Sequence, residues 1–412
     1  MANVTKVIDM LAARTLLHAK NNAKVAKRLN RDYESQFGKD GMKIGDKVRL
    51  RDPIYAQVVE GEDMTGQVQS ITENTRDLQI NRIKNIVWEF SARELTLDID
   101  RLEERYARPF GNQIANALDA DALLLMQQTC PNFVGAPGTV PTSFLTYGQA
   151  RAAIERNSAP RDGMDFAVIT PDMEVNFVDL AKGFNNPGGQ IGDQYKNGVL
   201  AKIWGVDFFM DQNCRTHLTG TLGSTPLANN ATAQTGASIV CDGAGGAVTT
   251  YLKKGDKVTF DTVKEVNMLT KELTGNLRQF TVTADVASDS GGNFTIPISP
   301  SIIVSGPYQN CNVGVPNNDP VKIWGHASTY ASKTSPQGMY VHKDAFTLAV
   351  VPIAPPAEGT GVAWRTLTDS QTGFSISYGM QSDLLTLKTT FRLSLMYGLA
   401  ATHPEWACCI AS

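Results

Sequence analysis

The sequence is short of nearly everything that an enzyme or a membrane protein requires. It has no phosphate-binding G-x-x-x-x-G-K-[ST] loop, no H-E-x-x-H zinc pair and no G-x-S-x-G nucleophile turn, so three common chemistries have no local signature. Its six cysteines, Cys130, Cys214, Cys241, Cys311, Cys408 and Cys409, form no C-x-x-C pair and no regular spacing, which leaves reduced thiols of a cytoplasm as the simplest expectation. The five histidines, His18, His217, His326, His342 and His403, are scattered without metal-ligand spacing. No uninterrupted apolar run approaches the ~18 residues that span a bilayer, and Asp9, Arg14 and Lys20 interrupt the N-terminal apolar residues, so neither a membrane span nor a signal peptide is expected. The glycosylation tripeptides at Asn3, Asn230 and Asn293 are then chance matches. One-sided charge is missing too. With 38 basic and 41 acidic side chains the formal net charge is −3, which excludes a surface gripping nucleic acid all over.

What is present is ordered globular sequence. A chain of 412 residues with 42% hydrophobic and 19% charged residues exceeds the size at which one core stops growing, and two or three lobes are expected. Residues 1–31 carry Lys6, Arg14, Lys20, Lys24, Lys27, Arg28 and Arg31 against the single acid Asp9, with Val7, Leu11, Leu17 and Val25 at helical spacing. This predicts a basic amphipathic helical arm, either docked on its own domain or binding a partner. Residues 43–90 read as short strands separated by turns, with Val48 and Leu50 on one face and Arg49 and Arg51 on the other. Such a ribbon buries too little apolar area to stand alone and needs a neighbour to lie on.

Pro109 disfavours helix at Arg108, so a kink is expected there. From Pro109 the spacing Phe110, Ile114, Leu118, Leu125 predicts one long helix ending before Pro131. A helix over 147–157, a buried strand over 166–170, a helix opened by Pro171-Asp172 and a strand near 203–209 follow. Residues 219–250 shift to Gly, Ala, Thr, Ser and Asn with one charged residue, Asp242, and read as loops leading into an inserted unit. Within it Phe280, Val282, Ala284 and Val286 alternate, Gly291-Gly292 marks a hairpin turn, and Phe294, Ile296 and Ile298 return. With strands at 257–260 and 322–325 this predicts a small β-barrel or sandwich. His342 beside Lys343 and Asp344 is expected at the surface or as a cap. The acidic pairs Asp98 with Asp100 and Glu103 with Glu104 are expected to serve a helix start.

Four segments carry a resemblance: KIGDKVRLRDP from Lys43, VWEFSARELTLDIDRLEERYARP from Val87, SPQGMYVHKDAFTLAVVP from Ser335 and RLSLMYGLAATHPE from Arg392. In this order they resemble the coat-protein family of the P-twenty-two-type short-tailed bacteriophages. The resemblance implies an α+β chain with the phage capsid fold of the Hong Kong ninety-seven type and an inserted small β-barrel. The implied divisions are a helical arm over 1–34, an extended loop over 35–98 and a spine helix with peripheral and axial segments over 99–218. An inserted β-rich domain over 219–338 and return strands over 339–412 complete it. Also implied is a non-enzymatic structural subunit without cofactor or metal, assembling with itself into hexamers and pentamers in the host cytoplasm and residing in the virion. Its further partners would be a scaffolding protein, a portal and packaged double-stranded DNA held by weak contact. Arg49, Arg51 and Asp52 are the expected loop contacts between subunits, and Lys20, Lys24 and Arg28 the expected arm contacts. In relatives a charged loop of the insertion touches neighbouring capsomers, but its nearest counterpart, residues 227–246, is almost uncharged. An encapsulin-like compartment, a β-rich hydrolase and an internal DNA-binding protein are the alternatives.

Overall fold

The computed structural model describes residues 2–33, 47–51, 54–56, 58, 60–62, 65, 75–91, 103–181, 205–223, 226–357, 361–369, 374–383 and 385–412. In chain order they form helix α1 (Ala2–Asn22), a 3-10 turn (Ala26–Arg28), strands β1 (Lys47–Arg51), β2 (Thr75–Gln79) and β3 (Arg82–Ser91), a π-turn (Glu103–Ala107) and helix α2 (Arg108–Thr129). Next come β4 (Asn132–Val134), α3 (Phe144–Arg156), β5 (Asp165–Ile169), α4 (Pro171–Ala181), β6 (Asp207–Met210) and β7 (Thr216–Leu218). The barrel strands are β8 (Leu227–Ala228), β9 (Gly236–Asp242), β10 (Lys257–Val266), β11 (Leu273–Val282), β12 (Phe294–Ile302) and β13 (Val321–Ile323). The chain returns through β14 (Thr334–His342), β15 (Phe346–Val351), β16 (Ala363–Thr368), β17 (Ser375–Asp383), β18 (Lys388–Ala401) and β19 (Ala407–Ala411). This is the expected α+β class. Two compact units result, each discontinuous: Met1–Leu50 with Thr75–Ala122 and Phe346–Ala400, and Arg51–Asn74 with Leu123–Ala345 and Ala401–Ser412.

In the first unit β15, β18, β17 and β16 form a sheet in that order, and β3 pairs antiparallel with β18 from Arg82↔Tyr397 to Ser91↔Lys388. Directly opposed residues share a face, so Trp88 stacks on Phe391 with centroids 5.7 Å apart. Phe110 of α2 lies 4.6 Å from Trp88, and Tyr106 meets Phe90 edge-on at 4.8 Å, so an aromatic layer glues the helix start to the sheet. The kink expected at Arg108 is a π-turn running straight into α2. Pro109 falls in the helix's first turn, where its missing N–H has no intrahelical bond to lose. Helix α1 ends at Asn22, short of Arg31. It crosses α2 at Gly111, where a Cβ would lie 2.8 Å from the Thr15 carbonyl oxygen and 3.0 Å from His18 Cβ.

In the second unit a mixed sheet runs β4-β19-β14-β5-β6, with β7 on β14. Its core joins Tyr147 and Ile154 of α3 and Met173 and Phe177 of α4 to Ala167, Phe208, Tyr340, Cys408 and Ile410. The other sheet runs β13-β10-β11-β12-β9-β8. Its ends nearly meet, because Ala228 N donates to Asp319 O at 2.9 Å and Val321 N to Pro226 O at 3.0 Å, whereas β11 and β12 pair only at Thr281↔Ser299 and Val282↔Ile298. Two expectations need correction here. Residues 219–250 are not all loop: β9 alternates, burying Ile239 and Cys241 from within a small-residue sequence. The β11–β12 pair is not a tight hairpin on Gly291-Gly292. Val282 pairs with Ile298, β11 ends there, and Ala284 is exposed while Val286 bridges back to Leu252.

The barrel meets the last turn of α2 through one buried cation. Lys257, 0% exposed, donates from Nζ to the Gln127 carbonyl at 2.8 Å, to Thr281 Oγ1 at 3.1 Å and to the Cys130 carbonyl. A helix C-terminus carries partial negative charge and unpaired carbonyls, and the ammonium satisfies both. Lys257→Met should therefore lower stability to urea by ~2 kcal/mol, because it strands buried acceptors. Gly111→Val should displace α1, costing ~1–3 kcal/mol by overpacking and exposing the Arg14 and Lys20 bonds to limited trypsin digestion.

Candidate assembly interface

Helix α2 carries Asp119 and Asp121 in an otherwise apolar and alanine-rich stretch. Two residues apart is about 200° around a helix, so the two carboxylates leave on opposite flanks. Asp119 is fully buried. Its Oδ2 accepts from Lys24 N and its Oδ1 from Ala26 N, each at 2.8 Å, capping the 3-10 turn that follows α1. From there the arm runs beside β15: Asn30 N donates to Phe346 O at 3.2 Å and Leu348 N to Asn30 O at 2.9 Å.

Asp121 holds the other flank. Its Oδ2 accepts from the Tyr397 hydroxyl at 2.6 Å and lies 3.1 Å from Arg82 Nη1 and 3.0 Å from Lys84 Nζ. Thus β3 and β18 are pinned to the same helix that pins the arm. Burial pushes the Asp121 pKa up, and the Tyr397 hydroxyl, then Lys84 and Arg82, more than offset it, leaving the carboxyl below its usual range.

The stem of the loop rests on its own unit. Val48 and Leu50 turn inward onto Leu78, Ala349 and Ala400, and β18 can pass close because Gly398 leaves room for the Gln79 carbonyl. Arg49 and Arg51 alternate outward, as the sequence pattern required. Arg49 Nε is 3.9 Å from Asp77 Oδ1 and its side chain is 80% exposed, a geometry that contributes little by itself. Asp52 lies outside the described residues. So do Asp98, Asp100 and the strand expected at 66–71, whereas 54–56 and 60–61 are described and are not strand. Lys20 pairs with Asp369 at 3.0 Å, and Arg28 Nη1 donates to the Lys24 carbonyl at 2.9 Å. Lys24 is exposed on the turn that Asp119 caps. The sequence therefore pointed at these cations and missed Asp119, which holds the Lys24 amide, and Asp121, which holds β3 and β18. The available signal was a pair of acids inside an apolar helix, which must find partners elsewhere.

The other ionisable groups are built into the fold. His342 was expected at the surface or as a cap; it is 0% exposed because β14 is a central strand, and it serves as the cap, its Nδ1 accepting from Asp344 N at 3.3 Å in the turn that follows while its Nε2 lies 3.1 Å from Asp162 Oδ1. His217 Nε2 is 2.7 Å from Asp256 Oδ1, and that carboxylate also accepts from Gly220 N and Lys253 N. Burial pushes the thiols of Cys130 and Cys311 up to about 11 and those of Cys214 and Cys241 up to about 12, so at neutral pH they are protonated and poor nucleophiles. Among the described residues no three His, Cys, Asp or Glu side chains are grouped to hold a metal, and no helix is long and apolar enough to cross a membrane.

The Asp121 anchor is acid-sensitive in a defined direction. A carboxyl whose folded pKa is lowered contributes stability fully above the unfolded range near ~4 and loses it as pH falls through the folded value. Urea unfolding followed between pH 7 and pH 3 should show stability falling at the acid end, with a smaller fall in Asp121→Asn, whose side chain does not titrate.

Comparison with known proteins follows this geometry. No curated protein matches the sequence. Among solved structures, one of Mycobacterium phage Che8 is similar at 12% identity and TM-score 0.47, covering 94% of this chain and 90% of the other. The capsid of cyanophage P-SCSP1u gives 11% and 0.41 over 89% and 83%, and a virus-like particle from Pyrococcus furiosus gives 9% and 0.40 over 98% and 98%. The family model described as P22 coat protein, gene protein 5, matches residues 1–409. A match over practically the whole chain settles the matter: this protein belongs to the P22 coat protein family and is a structural capsid subunit.

Proposed function

We propose that the chain assembles into hexamers and pentamers that close an icosahedral shell around double-stranded DNA, with the arm (1–34) and the extended loop (35–98) as its reaching parts. The observation that carries this is the pair of anchors on α2, which fix the roots of both segments and leave Arg49, Arg51 and Lys24 facing outward. Residues 99–218 and 339–412 then supply the spine, peripheral and axial parts, and 219–338 the inserted barrel. Arg49, Arg51 and Asp52 meet a neighbouring subunit, and Lys20, Lys24 and Arg28 serve a neighbour or a scaffolding protein. A portal completes the shell, assembly takes place in the host cytoplasm, and the subunit performs no catalysis. The net charge of −3 supports weak contact with the packaged duplex.

Each contact is weak, because exposed ion pairs contribute ~1 kcal/mol or less, but every subunit repeats it. Electron microscopy of the chain expressed alone and gel-filtered should show closed or malformed shells built of hexamer-like units. A chain that stays monomeric at high concentration, with or without a candidate scaffold, overturns the proposal. In the same assay Arg49→Ala/Arg51→Ala should raise the concentration needed for shells roughly three- to tenfold.

A further inference from the structure

Every described residue from Ile54 to Thr65 is exposed except Tyr55, which is also the one aromatic residue between Phe37 and Trp88. Its ring meets that of Tyr308 edge-on, with centroids 5.6 Å apart and planes at 88°, so the positive rim of one ring faces the negative face of the other. Tyr308 belongs to the barrel, on the turn that follows β12, and that turn is built to keep its shape. Asn310, 5% exposed, closes it: its Oδ1 accepts from Ile303 N at 3.0 Å, its Nδ2 donates to Ser301 O at 2.8 Å and its own N donates to Ile303 O at 3.0 Å. Gln309 N donates to Gly306 O at 3.1 Å. From the β10–β11 turn Lys271 Nζ donates to the Pro307 carbonyl, and Asn267 Oδ1 fixes that turn by accepting from Leu269 N at 2.8 Å and Thr270 N at 3.1 Å. A braced platform therefore carries the ring on which a solvent-exposed segment makes its aromatic contact.

We propose that Tyr308 is a rest for the extended loop of its own chain: Tyr55 seats on it in the unassembled subunit, and the barrel thereby sets the direction in which the loop leaves. The tether favours the same chain over a second copy. Tyr55 stands four residues beyond Arg51, the end of β1, and belongs with the barrel to one compact unit, so it meets Tyr308 at a far higher effective concentration than a ring on another molecule does. A ribbon with too little apolar area to stand alone gains one fixed point from this contact. A loop directed beforehand also loses less conformational freedom when it meets a neighbour. That last consequence rests on the shell-building role above, whereas the contact itself does not.

The first test uses the full chain as a dilute monomer. Tyr55→Cys/Tyr308→Cys treated with a short bismaleimide should give a product linked within one chain, at a rate that dilution leaves unchanged; five of the six native cysteines are buried, which favours reaction at the new pair. A product formed only between chains, or none while circular dichroism matches the unsubstituted chain, overturns the rest. The second test needs no new cysteine. Tyr55→Ala and Tyr308→Ala should each raise the concentration for shell formation, followed by light scattering, roughly two- to tenfold, and the double variant no further than either alone, because both remove one contact. An unchanged or lowered concentration in either single variant, or additive effects in the double, also overturns it. If the unsubstituted chain forms no shells, the shell-building role fails while the cross-link still decides the contact, so the two failures are told apart.

Discussion

Two carboxylates on one helix hold the first unit together, and what surrounds them follows from the cost of burying charge. A carboxylate out of water is tolerated only when donors or cations replace its hydration. Asp119 obtains two backbone N–H groups from the turn after α1, and Asp121 obtains a phenol and two cations from β18 and β3. Because α2 is a rigid rod and the two residues leave on opposite flanks, segments distant in sequence are registered against one another through it. The aromatic layer of Trp88, Phe110 and Phe391 adds apolar burial to the same arrangement.

The second unit solves a related problem with the opposite charge. Its barrel nearly closes on itself, and side chains make the junctions around it. Lys257 occupies the carbonyl end of α2. Glu265 of β10 gathers Arg278 Nη1 at 3.1 Å, Asn157 Nδ2 at 3.0 Å, Arg156 Nε at 3.2 Å and Thr274 Oγ1 at 3.0 Å. This network joins the end of α3 to two barrel strands. With four partners on one carboxylate, the network specifies one docking geometry, since a shift would leave a buried charge unpaired.

For a coat subunit, the consequence is a division of labour. Packed interiors place a few exposed elements, and in the proposed shell those elements meet other copies. Arg49 and Arg51 project from a strand because Val48 and Leu50 are committed to the opposite face. Lys24 projects because the amide of the same residue is held by Asp119. In each case the outward group is positioned by an inward one.

How much of this was legible beforehand differs from element to element for physical reasons. The spacing of Phe110, Ile114 and Leu118 announced α2, and the alternation at 47–51 announced β1, because periodicity is a local property of any amphipathic element. Strand β9 escaped notice because its apolar run, Ile239-Val240-Cys241, is short and set among small and polar residues, and its pairing with β12 decides its extent. The β11–β12 connection was misjudged because Val286 bonds to Leu252 from an earlier segment, which no short window of sequence contains. For His342, expected at the surface or as a cap, the burial was not legible, because a histidine in a strand carries no mark of whether that strand is central or at an edge. Thus the sequence by itself determined the family, the α+β class, the near-neutral charge and the faces of individual elements, all of which depend on composition, motif order and local period. Only the tertiary structure decided which groups Asp119, Asp121, Lys257 and Glu265 would hold, because partners 9 to 276 residues away are brought within hydrogen-bonding distance by the fold alone.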